Sequence, residues 1–423
     1  MKFSVKAGEF ANALKPVLEV ATKETSKEHS SAEKITLKAE KDGVIASAYG
    51  GTASIRSEIS DAHIGNLSYS FSTDGEVTTN ASHLMNALKS FRGSEEVELH
   101  SVSGALNIHL CDDHDVYQTI NTYTDHIKLP IIATKFKDEA EVNRSVFHES
   151  FSKVDFAVAF ENKMQKYMCV VFEASKNKIR LASGSGARFA VCDVEGKNIT
   201  NVTKSTLIIF PKNNLGCIKS VIGGSASEKI NVGYAERDSK SGASEQIVIS
   251  FDGVQMCIFN IDSKIRYPNL DKIIGAKYPC HVVADNSDFK YAVKGVSVSK
   301  DISQEGLHNT DVTTVSDKEV ITFETRSLAK AKRKVKFDSD ESNLKGSDTP
   351  WFRVSSTYLA EVASRIGDTG SIQIAFENQE DYKDLREDDD KQPLPVLVTF
   401  PEIVNEARDT TEKLYIFFVL STK

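Results

Sequence analysis

No two of the six cysteines, Cys111, Cys169, Cys192, Cys217, Cys257 and Cys280, form a Cys-x-x-Cys pair, which removes the usual zinc-ribbon and thiol-redox signatures. They lie far apart in apolar runs, and a 46.6 kDa chain has core enough to dispense with covalent staples, so they read as reduced, buried thiols. No apolar run approaches the roughly 18 residues that a membrane span requires. The chain starts Met1-Lys2-Phe3-Ser4-Val5 as an alternating strand and not as a leader, so the cytoplasm is the expected compartment and no membrane is a partner. Gly-x-Ser-x-Gly, His-Glu-x-x-His and the kinase signatures are all missing, and neither a catalytic residue, a metal site nor a cofactor is expected. Gly184-Ser185-Gly186 leads into strand-like Arg188-Phe189-Ala190-Val191-Cys192 and not into a helix, so it reads as a tight turn and not a phosphate cradle. Cys111-Asp112-Asp113-His114-Asp115 holds metal-ligand residue types but has no second cluster, and reads as a polar hairpin turn. An excess of positive charge is also lacking: 52 Lys and Arg face 60 Asp and Glu, a net charge of −8. That excludes a protein that coats DNA with its whole surface, yet leaves room for local basic faces, because a polyanion responds to charge within about one Debye length. With 40% hydrophobic and 26% charged residues, global disorder is excluded.

What the chain does have is repetition. A small residue, an aliphatic residue and a lysine recur as Ala13-Leu14-Lys15, Ala87-Leu88-Lys89, Cys217-Ile218-Lys219 and Ala292-Val293-Lys294, with a looser Ala363-Ser364-Arg365 near the end. Their spacing is about 70 residues, with one gap of about twice that, where Ser145 to Phe160 reads as a helix that has lost the pattern. Six units fill the chain. A helix that is apolar on one face, lysine-bearing on the other and repeated six times presents those lysines together, and a polyanion is the partner that suits such an array.

In the first unit a strand at Lys2 to Lys6 precedes a helix from Glu9 to about Thr22, with Phe10, Leu14, Val17 and Ala21 on one face and Lys15 and Lys23 on the other. Pro16 is expected to kink that helix or delay its start. Ile35 to Ile59 reads as two or three alternating strands. The second unit repeats the plan, with Asn80 as N-cap, Leu84, Ala87, Leu88 and Phe91 facing inward, and a meander over Glu95–His100, Ala105–Leu110 and Tyr117–Tyr123. Asp288 to Ser297 and Ser356 to Ile366 are the last two helices. Pro130 and Pro268, each followed by an Ile-Ile pair, mark connectors about one third of the chain apart. An α+β protein of three domains, 1–130, 131–275 and 276–423, each a pair of β-α-β-β-β units, is therefore expected. Two charge runs interrupt the pattern: Lys330-Ala331-Lys332-Arg333-Lys334-Val335-Lys336, read as a basic edge strand, and an acidic loop over Gln379 to Pro393.

Several strings resemble the bacterial-type sliding clamp, the β subunit of DNA polymerase III. The opening Met1 to Val5 with Leu14-Lys15-Pro16, the string Gly186 to Cys192, the connector Tyr267-Pro268-Asn269-Leu270-Asp271-Lys272-Ile273-Ile274, the helix Tyr358 to Val362 and the closing strand Tyr415 to Leu420 are similar to that family in the right order over the whole chain. The resemblance implies the DNA clamp fold: a head-to-tail homodimer closing a ring, helices inside and sheets outside, around double-stranded DNA. It implies an accessory subunit with no catalytic site, tethering the replicative polymerase and the clamp loader through short apolar peptides.

On that resemblance, the DNA-facing residues are expected to be Lys15, Lys23, Lys27 and Lys89, with Arg92, Lys219, Lys294 and Arg365. The peptide pocket carries over to Tyr167, Gly184, Gly186, Ala187, Arg188 and Phe189, to Pro268, Lys272 and Ile273, and to Ile416, Phe417, Phe418, Val419 and Leu420. Strand alternation predicts that one of Phe417 and Phe418 points outward. The chain departs from the family where a pocket histidine is Ala187, an arginine is Lys272 and a proline is Val419, and where bulky apolar dimer contacts are replaced by Val298-Ser299. Such departures fit a distant member, phage-encoded for example. The competing reading from another class is a structural or assembly protein of repeated α+β units. An enzyme built around His114 with Asp112, Asp113 or Cys111 comes third.

Overall fold

The computed structural model describes residues 1–23, 33–64, 68–159, 167–186, 188–225, 227–259, 261, 269–297, 309–325, 331–344, 349–365, 370–378, 395–400 and 402–418. A β-α-β-β-β plan recurs six times. The first copy is β1 (Lys2–Lys6), α1 (Ala7–Lys23), β2 (Lys34–Glu40), β3 (Gly43–Tyr49) and β4 (Ala53–Ile59). After a short α2 (Asp61–Ile64) and β5 (Tyr69–Thr73) come β6 (Gly75–Asn80), α3 (Ala81–Lys89), β7 (Glu96–Val102), β8 (Ala105–Leu110) and β9 (Asp113–Tyr123). The third copy is β10 (Asp138–Asn143), α4 (Arg144–Val154), β11 (Cys169–Ser175), β12 (Lys178–Gly184) and β13 (Arg188–Gly196), followed by the two-residue β14 (Thr200–Asn201). The fourth is β15 (Thr206–Pro211), α5 (Leu215–Gly223), β16 (Lys229–Ala235), β17 (Gln246–Phe251) and β18 (Val254–Ile258). One turn of helix, α6 (Asp271–Ile274), leads to β19 (Cys280–Asp285), α7 (Asn286–Ser297), β20 (Asn309–Val315), β21 (Val320–Thr325) and β22 (Lys332–Leu344). The last copy is β23 (Trp351–Ser355), α8 (Ser356–Ala363), β24 (Ser371–Phe376), β25 (Val396–Thr399) and, past the small β26 (Ile403–Asn405), β27 (Thr410–Phe418).

The chain divides into two compact units, one of 1–149, 172–177 and 198–263 and one of 150–171, 178–197 and 264–423. In the first unit fourteen strands follow one another in the order β14-β10-β16-β17-β18-β4-β3-β2-β6-β9-β8-β7-β1-β5. Helix α1 lies on this sheet between α3 and α5, and Phe10, Leu14, Val17 and Ala21 are fully buried beneath it, Phe3 meeting Phe10 edge-on at 5.6 Å. Pro16 does not delay α1, which begins at Ala7 and runs through it. The hydrogen bond it removes would reach the carbonyl of Asn12, an exposed position where water can satisfy the oxygen. Two of the amide groups that every helix start leaves unpaired are taken up by neighbouring backbone: Ala7 donates to Glu95 O at 2.9 Å and Gly8 to Gly93 O at 3.1 Å. Asn80 caps α3 as expected, its Oδ1 accepting from the His83 amide at 2.9 Å. Phe147, Phe172 and Phe210 form an aromatic cluster with centroids 5.2 to 6.4 Å apart.

In the second unit β12, β13, β27, β25, β24, β19, β22, β21, β20 and β23 follow one another, all antiparallel. Helices α7 and α8 pack side by side on it, over Phe289 against Phe323 at 5.7 Å and Phe352 against Phe376 at 4.8 Å. None of the six cysteines forms a disulfide and five are buried, and burial pushes the Cys169 and Cys257 thiols up to about 12. Among the described residues no helix is long and apolar enough to cross a membrane. The acidic loop over 379–393 lies outside the described residues.

Two glycines give opposite predictions. A Cβ at Gly8 would sit 2.7 Å from Gly93 Cα and 2.8 Å from its carbonyl oxygen, both unyielding backbone, so Gly8→Ala should lower unfolding free energy by about 1–3 kcal/mol. A Cβ at Gly216, in the first turn of α5, meets nothing within 4 Å, so Gly216→Ala should raise it by about 0.5–1 kcal/mol. Urea denaturation followed by circular dichroism reads both.

Candidate functional site

The register of the second unit's sheet sorts its side chains into rows. On one face Gly184, Phe189, Phe417, Leu397 and Ala375 stand opposite one another across five strands. The next row on that face is Ala182, Val191, Tyr415 and Thr399, and the third is Arg180, Asp193 and Lys413. The face therefore runs from apolar to ionic along the strand direction. Its apolar end is a cluster of Ala182, Phe189, Val191, Leu270, Ala375, Leu397 and Phe417, rimmed by the partly exposed Tyr167, Ile273, Ile274, Tyr278 and Tyr415. Phe189 meets Tyr167 edge-on at 5.5 Å and lies 6.4 Å from Phe417.

Three local features hold the cluster in place. The Ser185 amide donates to Arg188 O at 2.9 Å and Gly186 takes a φ of +85°, which makes the tight turn expected from Gly184-Ser185-Gly186. A Cβ at Gly184 would lie within the Phe189 ring, so the absent side chain is what lets that ring rest across β12. Arg180 grips Asp193 through Nε at 2.6 Å and Nη2 at 2.8 Å, and its Nη1 reaches Asp271 at 2.7 Å. That fork ties α6, with Leu270 and Ile273, to the sheet. The Tyr278 hydroxyl is buried with no hydrogen-bond partner among the described residues, and burial, with Glu377 adding, raises its pKa.

The opposite face of the same strands holds residues that the resemblance places in the pocket. Arg188 and Phe418 are paired across β13 and β27, one position out of phase with Phe189 and Phe417, so they point the other way. There Arg188 is buried: it ion-pairs with Glu361, donates from Nη2 to Phe156 O at 2.8 Å, and stacks over Tyr358 at 4.9 Å and Phe156 at 5.8 Å. Arg188 thus joins β13 to α8 beneath the cluster instead of lining it. The expectation that one of Phe417 and Phe418 is exposed fails. Phe417 is 0% and Phe418 1% exposed, because the apolar cluster covers one face and Tyr358, stacked on Phe418 at 6.0 Å, covers the other. Ile416 also faces the helix side. Lys272 is exposed beside Ile273. Ala187, Pro268, Val419 and Leu420 lie outside the described residues. Sequence reasoning missed Leu270, Ile274, Tyr278, Tyr415, Leu397 and Ala375. Counting by twos from Phe417 finds Tyr415; the others come from strands and a turn whose register only the folded chain reveals.

The second surface is helical. Lys15, Lys89 and Lys294 are exposed on α1, α3 and α7, on the sides away from their buried stripes, and Arg92 is exposed just past α3, 3.9 Å from Glu95. Along these three helices the only exposed acidic residue among those described is Asp288, in the first turn of α7, where the helix dipole favours it. Lys219 is half-buried on α5. Arg365 is committed elsewhere: Nη1 donates to Ser152 O at 2.8 Å, Nη2 lies 3.7 Å from Asp155 and the guanidinium sits 5.2 Å from the Phe156 ring. Lys27 falls outside the described residues, as does the side chain of Lys23. The His148 imidazole on α4 is held below its ordinary value, first by burial and then by Arg144 and Lys219. The hairpin turn expected over Cys111 to Asp115 falls at Cys111–Asp112, and Asp113, whose Oδ1 accepts from the Asp115 amide at 3.1 Å, begins β9. Among the described residues no three metal-ligating side chains converge.

No protein-family model matches the chain, and no curated protein matches it in sequence. Solved structures do match along its full length. A DNA polymerase sliding clamp from Bacillus subtilis superposes with a TM-score of 0.77 at 15% identity, over 100% of this chain and 99% of that one. The DNA polymerase III β subunit from Thermotoga maritima gives 0.76 at 16% identity over 99% of each chain, and a Helicobacter pylori β clamp bound to a DNA ligase peptide gives 0.72 at 17% over 100% of each. The fold is thus the α+β DNA clamp fold.

Three measurements check the site. Gly184→Ala should cost about 1–3 kcal/mol by driving the Phe189 ring from its place. Tyr278→Phe removes an unpaired buried hydroxyl and should stabilise the chain by about 1 kcal/mol. For His148 the folded state resists a proton that the unfolded chain accepts near 6.5, so stability present above that pH should be lost as pH falls below it. His148→Gln should flatten that loss in denaturation measured between pH 7 and pH 5.

Proposed function

We propose that the chain is a DNA sliding clamp: an accessory subunit that encircles duplex DNA and tethers a replicative polymerase, its loader and other DNA-processing proteins. The observation that carries this reading is the sixfold β-α-β-β-β repeat in which α1, α3 and α7 expose lysines, with Asp288 the only exposed acid along those three helices among the described residues. The full-length likeness to clamps from several bacteria supports it. In this reading the three domains are 1–130, 131–275 and 276–423, and two chains join head to tail into a closed ring. Lys15, Lys89, Lys294 and Arg92 face the duplex, Lys219 contributes from α5, and Arg365 contributes least because its guanidinium is already occupied.

Sparse charge is what sliding requires. Phosphate contacts do not depend on sequence, and each one neutralised steepens the log–log salt dependence of binding by about 0.9. A few such contacts leave the ring free to move, and enclosure keeps it on the strand. Partners dock as short apolar peptides against the partly exposed Tyr167, Ile273, Ile274, Tyr278 and Tyr415 that rim the buried Phe189–Phe417 row. The Helicobacter pylori β clamp, whose structure holds a DNA ligase peptide, supports that mode of docking. Burying about 300 Å² of apolar surface gives roughly 7 kcal/mol before ordering costs, enough for micromolar binding.

The test is topological. Loaded onto nicked circular DNA, the protein should stay through gel filtration and should be lost when the circle is linearised at the same salt. Equal retention on both forms would sink the proposal. Light scattering should give about twice 46.6 kDa, and replacing Lys15, Lys89 and Lys294 with Ala should lower the salt slope by about 0.9 per residue without changing that mass.

A further inference from the structure

The two units repeat a patch of surface as well as a fold. In the second unit Gly184, Phe189, Phe417, Leu397 and Ala375 form the row described above, on β12, β13, β27, β25 and β24. In the first unit Tyr49, Ser54, Cys257, Val248 and Gly233 stand opposite one another in the same way on β3, β4, β18, β17 and β16. The turns that open the two rows share one backbone form. The Gly50 amide donates to Ala53 O at 2.9 Å and Gly51 takes a φ of +94°, as the Ser185 amide donates to Arg188 O at 2.9 Å and Gly186 takes +85°.

The segments that lead into the next repeat correspond too. Phe136 and Tyr278 each stand two residues before a strand, β10 and β19, and each follows an Ile-Ile pair, Ile131-Ile132 or Ile273-Ile274. Ile132 and Phe136, with Tyr49, rim a cluster of Val248, Cys257 and Phe259, as Ile273, Ile274 and Tyr278 rim the cluster of the second unit. Tyr49 meets Phe259 edge-on at 6.1 Å. A Cβ at Gly233 would come within 2.6 Å of the Phe136 ring, so the missing side chain seats that ring on β16.

The next row sets the units apart. In the second it is Ala182, Val191, Tyr415 and Thr399, largely apolar. In the first it is Ser47, Arg56, Gln255, Ser250 and Asn231, all at least partly exposed, with Arg56 ion-paired to Glu58. An apolar strip one row wide beside a row of donors and acceptors suits a peptide with one apolar anchor and a polar flank.

We infer that the first unit carries a second docking groove, for a short partner peptide that sets one apolar side chain against Tyr49, Ile132 and Phe136 and lays polar residues along Arg56 and Gln255. The inference rests on the peptide docking proposed above for the second unit. With less apolar surface to cover, the new groove binds more weakly, and a chain with two unequal grooves holds two partners at once.

Calorimetric titration of the whole chain tests it, with the DNA ligase peptide held by the Helicobacter pylori β clamp as probe. Two classes of site per chain are expected, the second at least about tenfold weaker. Tyr49→Ala should abolish the weak class and spare the strong one, whereas Tyr415→Ala should weaken the strong class at least about tenfold and spare the weak one. A single class that responds to Tyr415→Ala, or a weak class indifferent to Tyr49→Ala, overturns the second groove while docking in the second unit stands. No binding in either unit overturns both. A fall in the mass of the assembly on Tyr49→Ala, with peptide binding unchanged, makes the groove a contact between copies and also ends the inference. Should Tyr49→Ala fail to fold, the same peptide bearing a benzophenone should photolabel the wild-type chain between residues 47 and 56 as well as in the second unit, and labels confined to the second unit would refute the groove.

Discussion

A β-strand with an unpaired edge must be dealt with, and the whole architecture follows from how this chain deals with six of them. Each meander of the repeat ends in one such strand. Pairing β4 with β18 and β13 with β27 lets neighbouring repeats share a continuous ladder, so backbone hydrogen bonds and not loops join them. Each repeat then buries its helix on the sheet so formed, and helices of successive repeats come side by side, as α1 does with α3 and α7 with α8, while α5 of the fourth repeat lies against α1.

The strand period of two explains how one short stretch serves two purposes. Along Arg188-Phe189 and Phe417-Phe418, alternate side chains leave opposite faces of the sheet. Phe189 and Phe417 join an apolar cluster with Tyr167, Leu270 and Tyr415. Arg188 and Phe418 go to the helix side, where the guanidinium is held by Glu361, Phe156 and Tyr358. A buried arginine is tolerable there because an ion pair and a carbonyl take up its two Nη atoms and two aromatic rings cover its faces, which offsets an Nε that has no hydrogen-bond partner among the described residues. The cluster therefore has a rigid backing, and Gly184 supplies the one gap that the Phe189 ring needs.

Charge is distributed with similar economy. The chain is acidic as a whole, yet α1, α3 and α7 expose lysine and little else that is charged. Several acidic groups on the sheets are engaged locally, Asp193 by Arg180, Glu195 by Lys178, Asp311 by Arg353. Such pairs add little stability where exposed, while Lys15, Lys89 and Lys294 stay as exposed positive charge on the helix faces.

Periodicity in the sequence determined the number of repeats, the six helices and which of their faces are buried, because a helix stripe or an alternating strand is a local pattern that burial reads directly. It also marked Asn80 as a cap and Gly184-Ser185-Gly186 as a turn. It misjudged Pro16, because the cost of a missing hydrogen bond depends on whether the freed carbonyl faces water. It also misplaced Arg188, Ile416 and Phe418, which the resemblance carried over as one block although alternation sends neighbours to opposite faces. Leu397, Ala375 and Tyr278 were beyond it altogether, since they reach the cluster from strands and loops far away in the chain. Which strands become neighbours, and in what register, is a long-range choice settled by the packing of whole sheets, and only the tertiary structure decided it.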